Sequence, residues 1–150
     1  MAMYQVKEFT RTRAELSALE NIEVTPPGKL LIPLIRNLRQ INAVLADYDE
    51  GIQRVLREVG EVSSRGWVIP ADDEYGQAVF YQTQTEMLET EVEVDIHPLA
   101  LSRFIEATQE KPSFQVPLRC FTRLTYLIEL DVDEIPDDVL ADNEGEEHDG

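Results

Sequence analysis

The clearest pattern in this chain is a series of apolar residues spaced three and four positions apart. Alternating steps of three and four from Leu31 reach nine positions, and all nine are apolar: Leu31, Leu34, Leu38, Ile41, Leu45, Tyr48, Ile52, Val55 and Val59. This spacing predicts a long amphipathic helix over about residues 30–59, whose apolar side chains form a seam along one face. Its central members are expected in the hydrophobic core: Leu38, Ile41, Leu45 and Ile52. Because a period of 3.5 is also typical of paired helices, a homo-oligomer through the seam is one expected assembly.

Proline and glycine mark where this helix begins and ends. A Pro-Pro-Gly segment occupies residues 26–28, and Pro33 fits a helix only within its first turn, so we predict a start between residues 29 and 33. Gly60 is typical of a residue that follows a helix C-terminus. We interpret Gly51, inside the helix, as a tolerated exposed glycine; a bend or a close approach of another element is the alternative.

Shorter elements are predicted around the long helix. In chain order they are a strand (3–9), a helix (12–20), a short strand (66–69), a helix (72–89), a strand (91–97) and two helices (99–109 and 117–130). Thr12 and Glu15 form a Thr-x-x-Glu capping box, typical of a helix start. Tyr75 is expected on the buried face of its helix, and alternation of apolar and polar residues over 91–97 predicts a half-buried strand. The expected fold is α+β and mostly helical, with a small sheet.

Acidic residues are concentrated at the C-terminal end. The 150 residues include 30 acidic and 13 basic side chains, a net charge of −17. Eleven of the acids and none of the bases lie from Glu129 to Asp149, which leaves a net charge of −6 for residues 1–128. A highly charged segment with few apolar residues is not expected to pack. We therefore predict one α+β domain over residues 1–130 and a disordered, flexible acidic tail over 131–150, whose deletion leaves the domain folded.

Composition also bears on location and ligands. The longest apolar run covers only residues 30–35 and includes Pro33, far short of the roughly 20 residues that cross a bilayer. The N-terminal residues lack the apolar stretch of a secretory signal, and the single cysteine, Cys120, is consistent with a reducing compartment. The acidic charge disfavours direct nucleic-acid binding. A cytoplasmic protein that contacts neither membrane nor nucleic acid is expected.

No pattern in the chain predicts a catalytic, cofactor-binding or metal site. His97 shares a strand face with Glu91, Glu93 and Asp95, but same-face neighbours lie roughly 6.5–7 Å apart. Four such residues cannot converge on one cation, whose ligands lie within about 2–2.6 Å, so we interpret them as the solvated face of an edge strand. Cys120 is expected to be a small buried residue rather than a reactive thiol. A non-enzymatic protein without a cofactor is expected, and a metal-dependent hydrolase is the weakest hypothesis.

One tryptophan and the acidic tail are the candidate partner-binding features. Trp67 lies in a glycine-flanked loop and is a candidate apolar anchor, with an ordinary core tryptophan as the alternative. The tail is interpreted as a solubilising end, with an arm for a basic protein surface or a polyanion mimic as alternatives. Its candidate binding residues lie among apolar neighbours and suit a segment that folds on binding: Asp133, Glu134, Asp137 and Asp138.

The order of elements over about residues 30–105 resembles small proteins of unknown function encoded by tailed phages and prophages. The shared features are a long helix ending near YDE (48–50) and VG (59–60), and an acidic helix running into EVEVDIHPL (91–99). The resemblance implies a phage-associated accessory protein in the bacterial host cytoplasm, with no catalytic residue. The leading hypothesis is a non-enzymatic protein-binding accessory protein acting in phage assembly or host takeover. The alternative is an acidic inhibitor that occupies a nucleic-acid-binding surface of a host or defence protein.

Overall fold

The computed structural model describes residues 2–141. Its elements are β1 (Ala2–Gln5), α1 (Val6–Arg11), α2 (Arg13–Glu20), α3 (Gly28–Val59), β2 (Glu61–Ser63), β3 (Gly66–Val68), α4 (Glu74–Glu89), β4 (Glu91–Val94), β5 (Leu99–Ala100), α5 (Leu101–Glu110), α6 (Leu118–Arg123), β6 (Ile128–Glu129) and a 3₁₀ turn (Asp137–Val139). The strands pair two by two: β1 with β4, β2 with β3, and β5 with β6. The predicted fold class, α+β and mostly helical with one long helix, is confirmed. None of the helices in residues 2–141 combines the length and apolar character needed to cross a bilayer.

The described chain divides into two compact units. Unit 1 comprises residues 11–40 and 95–141, and unit 2 comprises residues 2–10 and 41–94. Helix α3 contributes its first residues to unit 1 and the rest to unit 2. Most of the fully buried apolar side chains belong to unit 1, where Phe104 and Phe121 pack edge to face with ring centroids 5.4 Å apart. The single domain predicted over residues 1–130 thus contains two centres of packing.

The α3 seam is buried from Leu34 to Leu45, in agreement with the prediction for its central members. Leu38, Ile41 and Leu45 lie in the core, whereas Ile52 is only half-buried. The residues from Ile52 to Val59 belong to unit 2, which has the smaller set of fully buried side chains. A homo-oligomer through this seam stays a prediction.

Helix α3 begins at Gly28, just before the predicted range, so Pro33 lies beyond the first turn. Its ring removes the N–H that would donate to the Lys29 carbonyl in a regular helix. The Arg103 guanidinium donates to that carbonyl through Nη2 at 2.7 Å. The helix tolerates this proline because a side chain of α5 donates a hydrogen bond in its place.

The predicted strand over residues 3–9 is correct only as far as Gln5. β1 runs antiparallel to β4 and its last pair is Gln5 with Glu91, so the next residue has no partner strand. The Val6 N–H instead donates to the Thr90 carbonyl at 3.0 Å, and α1 begins there. Phe9, three residues on, is fully buried in unit 2. The spacing of a helix buries both Val6 and Phe9, whereas a strand without a partner would not bury both.

The Thr12–Glu15 capping box is wrong, although α2 does begin where it was expected. Thr12 precedes the helix without a side-chain capping bond, and its hydroxyl lies 2.8 Å from the Tyr126 hydroxyl. The Glu15 carboxylate is buried, with its Oε1 3.3 Å from Arg123 Nε. That oxygen makes no hydrogen bond within the described residues, so its charge is met by an ion pair. Both side chains point to tertiary neighbours.

The helix predicted over residues 117–130 ends at Arg123. The chain then turns and enters β6, which pairs parallel with β5 so that Leu99 lies opposite Ile128. The Leu99 N–H donates to the Leu127 carbonyl at 2.8 Å. The spacing of Leu124, Leu127 and Ile128 would also fit one helical face, but here a turn and a strand bury all three.

A flexible tail from residue 131 onward is also wrong for residues 131–141. Val139 is 1% exposed, and its carbonyl accepts from the Val116 N–H at 2.8 Å. The Ala141 N–H donates in turn to the Val116 carbonyl at 3.1 Å. One apolar residue in an acidic segment is enough to pack when a neighbouring backbone offers free hydrogen-bonding groups. The rest of the predicted tail, 142–150, lies outside the described residues.

Candidate partner-binding surface

The β2–β3 hairpin presents apolar side chains outside the core of unit 2. Val62 lies opposite Trp67 across the hairpin and is 71% exposed. Gly66 has φ of +99°, a conformation that residues with a side chain rarely adopt. Trp67 is half-buried and Val68 is exposed. The candidate anchor is therefore neither a fully buried core tryptophan nor a free loop side chain; its binding role stays a prediction.

Backbone and side-chain hydrogen bonds tie the end of this hairpin to the first turn of α4. Gln77 Nε2 donates to the carbonyls of Ile69 at 3.1 Å and Pro70 at 3.3 Å. The Asp73 carboxylate caps α4 by accepting from the Gly76 N–H at 2.9 Å. A Cβ on Gly76 would come within 3.1 Å of an Ile69 methyl carbon, so glycine permits this close packing. The hairpin and the start of α4 are thereby held next to each other.

The outer face of α4 carries two exposed tyrosines. Tyr75 is 78% exposed and Tyr81 is 70% exposed. The prediction that Tyr75 points inward is wrong, because Gly76 is the residue that the first turn buries. Sequence reasoning missed Tyr81, which lies about 120° around the helix from Tyr75, with the exposed Ala78 between them. Two large exposed aromatic side chains make this side of α4 a candidate contact surface.

Charge is distributed unevenly between the two units. Unit 2 contains 13 acidic and four basic residues, a net charge of −9. Unit 1 up to residue 128 contains six acidic and nine basic residues, a net charge of +3. The net charge of −6 expected for the body from the sequence is the sum of these two values. The exposed tyrosines and the hairpin thus lie in the strongly acidic part of the molecule.

The four acidic candidates belong to unit 1, not to the unit of Trp67. Asp133 and Glu134 are exposed beyond β6, and Asp137 and Asp138 are exposed in the 3₁₀ turn. The Asp138 carbonyl accepts from Gln115 Nε2 at 3.2 Å, and Asp138 lines a cavity of about 300 Å³. These residues are anchored to the folded part of the chain. Residues 131–141 are therefore not a segment that stays unfolded until it binds.

The side chains examined for catalytic or metal chemistry are placed as follows. His97 is exposed, and its Nε2 lies 3.0 Å from Asp95 Oδ1. Cys120 is fully buried, as predicted, with its Sγ 3.5 Å from the Glu15 carbonyl oxygen. Within residues 2–141, no group of three or more His, Cys, Asp and Glu side chains is arranged to hold a metal ion.

Comparisons with known proteins add no family to this description. No protein-family model, curated protein or solved structure matches the chain. The phage resemblance over residues 30–105 therefore stays a prediction that rests on its own residues.

Proposed function

We propose that this chain is a non-enzymatic accessory protein that binds a protein partner through the aromatic surface of unit 2. This aromatic surface consists of four residues of the hairpin and α4: Val62, Trp67, Tyr75 and Tyr81. The observation that carries the proposal is the exposure of both tyrosines on the solvent side of a capped helix. Tyrosine and tryptophan supply large contact area at low conformational cost, which is why they are frequent in binding hot spots.

The charge of unit 2 supports a partner with basic residues around its binding surface. A net charge of −9 attracts a positive surface over several ångströms and raises the association rate. The tyrosines would then supply most of the binding free energy, because contacts at a solvated rim contribute little. The partner that fits best is a protein with apolar pockets bordered by Lys or Arg.

The resemblance to phage-encoded proteins supports a biological setting for this interaction. In that setting the partner acts in phage assembly or in the host machinery that a phage redirects, and the encounter occurs in the bacterial cytoplasm. The burial of the single thiol, Cys120, is in keeping with a role that requires no exposed nucleophile.

A second candidate function is an acidic inhibitor that covers a nucleic-acid-binding surface. The observation that favours it is the segregation of charge, since the bases are not mixed evenly among the acids of unit 2. Such a mimic depends on charge density, so its affinity should fall steeply with salt. Binding through the aromatic surface should change little over the same salt range.

Affinity capture from bacterial host cells, followed by mass spectrometry, would identify the partner, and quantitative binding of the purified pair tests the surface. We expect a Tyr75→Ser/Tyr81→Ser variant to bind more than about tenfold more weakly, because hot-spot truncations cost about 1–2 kcal/mol or more each. Ile32→Ser is the matched control, since Ile32 is 61% exposed but lies in unit 1. Retained affinity in a folded double variant would refute the aromatic surface, and a steep loss with salt would favour the inhibitor.

A further inference from the structure

A small apolar cavity lies within unit 2, apart from the residues of the aromatic surface. It has a volume of about 190 Å³ and is lined by residues from α1, α3, α4, β4 and the α4–β4 junction: Val6, Val44, Asp47, Tyr48, Met87, Thr90 and Val92. Its walls are the side chains of valines and a methionine, and its polar groups lie on α3 and at Thr90. It is therefore a concave apolar site with a few polar groups, the usual composition of a ligand pocket.

The walls of this cavity are held by specific packing. The Val6 N–H donates to the Thr90 carbonyl at 3.0 Å, which fixes the start of α1 to the end of α4. A Cβ on Gly51 would lie 2.7 Å from Met87 Sδ, so the methionine packs directly on the α3 backbone. Gly51 is thus a site of close approach, and its interpretation as a tolerated exposed glycine is wrong. Methionine adapts its shape to what it contacts, which suits a residue at the wall of a binding site.

The polar groups of the cavity point to a cationic neighbour. The Tyr48 hydroxyl accepts a hydrogen bond from Gln84 Nε2 at 3.3 Å. The exposed Asp47 carboxylate makes neither an ion pair nor a hydrogen bond within the described residues. It is one of 13 acids in a unit with four bases. A lysine or arginine placed beside the cavity would pair with this carboxylate, whereas an acidic group would be repelled.

Volume decides what kind of group enters. Pockets for drug-sized molecules have volumes of about 300–1,000 Å³. The present cavity is smaller, so it suits a single apolar side chain of a longer ligand rather than a whole small molecule. Burying one such side chain is the way in which short linear segments anchor themselves to a folded partner.

We propose that this cavity docks a linear segment of a partner protein, which inserts one large apolar side chain and places an adjacent Lys or Arg beside Asp47. The inference rests on the proposed function in that it assumes a protein partner, but it uses none of the aromatic-surface residues. The segment is recognised by one apolar anchor and one positive charge in neighbouring positions.

Titration of the full chain with capped synthetic peptides tests this inference. The chain contains three methionines, so ¹³C-methyl labelling gives a separate signal for Met87 in the cavity wall and for Met3 on β1. We expect the peptide Ala-Phe-Lys-Ala to shift the Met87 methyl signal saturably and to leave Met3 unchanged. Ala-Ala-Lys-Ala should bind more than about tenfold more weakly, because the apolar anchor is lost. Ala-Phe-Glu-Ala should bind about fivefold more weakly or worse, because the charge is reversed.

Two variants of α3 provide the matched control. Asp47→Asn and Asp49→Asn each remove one charge from the same helix, but only Asp47 lines the cavity. We expect Asp47→Asn to abolish the preference for the lysine peptide over the glutamate peptide, and Asp49→Asn to preserve it. An unshifted Met87 signal at millimolar Ala-Phe-Lys-Ala, equal binding of the two charged peptides, or equal effects of the two variants would each overturn the inference. None of these results depends on Tyr75 or Tyr81, so failure here is distinguishable from failure of the proposed function.

Discussion

Asn37 and His97 form a pair in which a side-chain amide takes the place of a neighbouring strand. Asn37 Nδ2 donates to the His97 carbonyl at 2.8 Å, and the His97 N–H donates to Asn37 Oδ1 at 2.9 Å. Asn37 is 1% exposed on α3, so this polar side chain is buried with its amide engaged on both sides. The pair satisfies the backbone of His97 after β4 has ended and holds that segment against the N-terminal part of α3.

Replacing Asn37 by Ala should lower the free energy of unfolding by about 1–3 kcal/mol. The substitution removes both hydrogen bonds from the part-buried backbone of His97, and each bond contributes about 0.5–1.5 kcal/mol. Chemical denaturation monitored by circular dichroism measures the change. Gln40→Ala, an exposed change on the same helix, should stay within about 0.5 kcal/mol of wild type. Equal stability of the two variants would contradict the assigned role.

Arg103 and Pro33 should be energetically coupled through the Lys29 carbonyl. Arg103→Ala is expected to cost about 0.5–1.5 kcal/mol when Pro33 is present, because that carbonyl loses its donor. In a Pro33→Ala background the new N–H can donate along the helix, so the same change should cost less. A double-mutant cycle measures this difference. Identical costs in both backgrounds would show that Arg103 does not compensate for the proline.

Truncation after Leu130 should destabilise unit 1, contrary to the expectation from sequence. It removes Val139, whose full burial contributes about 1.5–3 kcal/mol, together with its backbone bonds to Val116. Thermal melting of the shortened chain measures the loss. Truncation after Ala141 is the control, since it keeps the contacts that residues 131–141 make with the rest of the described chain. If truncation after Leu130 leaves the melting temperature unchanged, the interpretation of residues 131–141 as a flexible tail would be correct after all.

The Asp131 carboxylate takes the place of an N-cap for α5 and should titrate accordingly. The Ser102 hydroxyl donates to Oδ2 at 2.6 Å, and the Ser102 N–H donates to Oδ1 at 2.9 Å. Both hydrogen bonds lower the pKa of Asp131 below its ordinary value of 3.8, and the bond from the Ser102 hydroxyl has the larger effect. Its contribution to stability is therefore present above that value and is lost as the pH falls through the lowered pKa.

Removal of the hydroxyl should raise this pKa part of the way back. We expect Ser102→Ala to move the Asp131 midpoint upward in a ¹³C carboxyl NMR titration, because the backbone bond remains. Ser113→Ala, at an exposed serine elsewhere in unit 1, should leave the midpoint unchanged. An Asp131 midpoint insensitive to Ser102→Ala would show that the hydroxyl does not set it.

Substitution by alanine should have opposite effects on the free energy of unfolding at Gly60 and at Gly28. A Cβ at Gly60 would lie 2.5 Å from the Leu56 carbonyl oxygen and 2.7 Å from that of Val68, both on the backbone. Gly60→Ala should therefore cost about 1–3 kcal/mol. At Gly28 nothing lies within 4 Å of the new Cβ, and Gly28→Ala should be neutral or stabilising by up to about 1 kcal/mol. Denaturation of both variants tests the pair, and a harmless Gly60→Ala would contradict it.

Elements with a strong local period could be predicted from the sequence. Steps of three and four residues predicted α3 and its buried members Leu38, Ile41 and Leu45, and alternation predicted the strand that buries Val94. The end of α3 before Gly60 and the burial of Cys120 were also predicted correctly. These features depend on residues within a few positions of one another, where periodicity and backbone preference carry the information.

Pairings between distant residues were decided only by the tertiary structure. Asn37 meets His97 across 60 positions, Arg103 meets Lys29 across 74, and Cys120 lies beside Glu15 across 105. No local pattern indicates which buried polar group will find its partner at such a separation.

The candidate binding surface shows the same division. The sequence identified Trp67 as a candidate anchor by its loop context, but it placed Tyr75 inward and missed Tyr81. The side of α4 that faces inward starts with Gly76, next to the Asp73 cap, and this could not be read from the apolar pattern. The net charge was determined by composition, whereas its separation into an acidic unit 2 and a basic part of unit 1 required the fold. Unit 2 combines residues 2–10 with 41–94, and unit 1 combines residues 11–40 with 95–141, so the charge of each unit depends on which distant segments pack together.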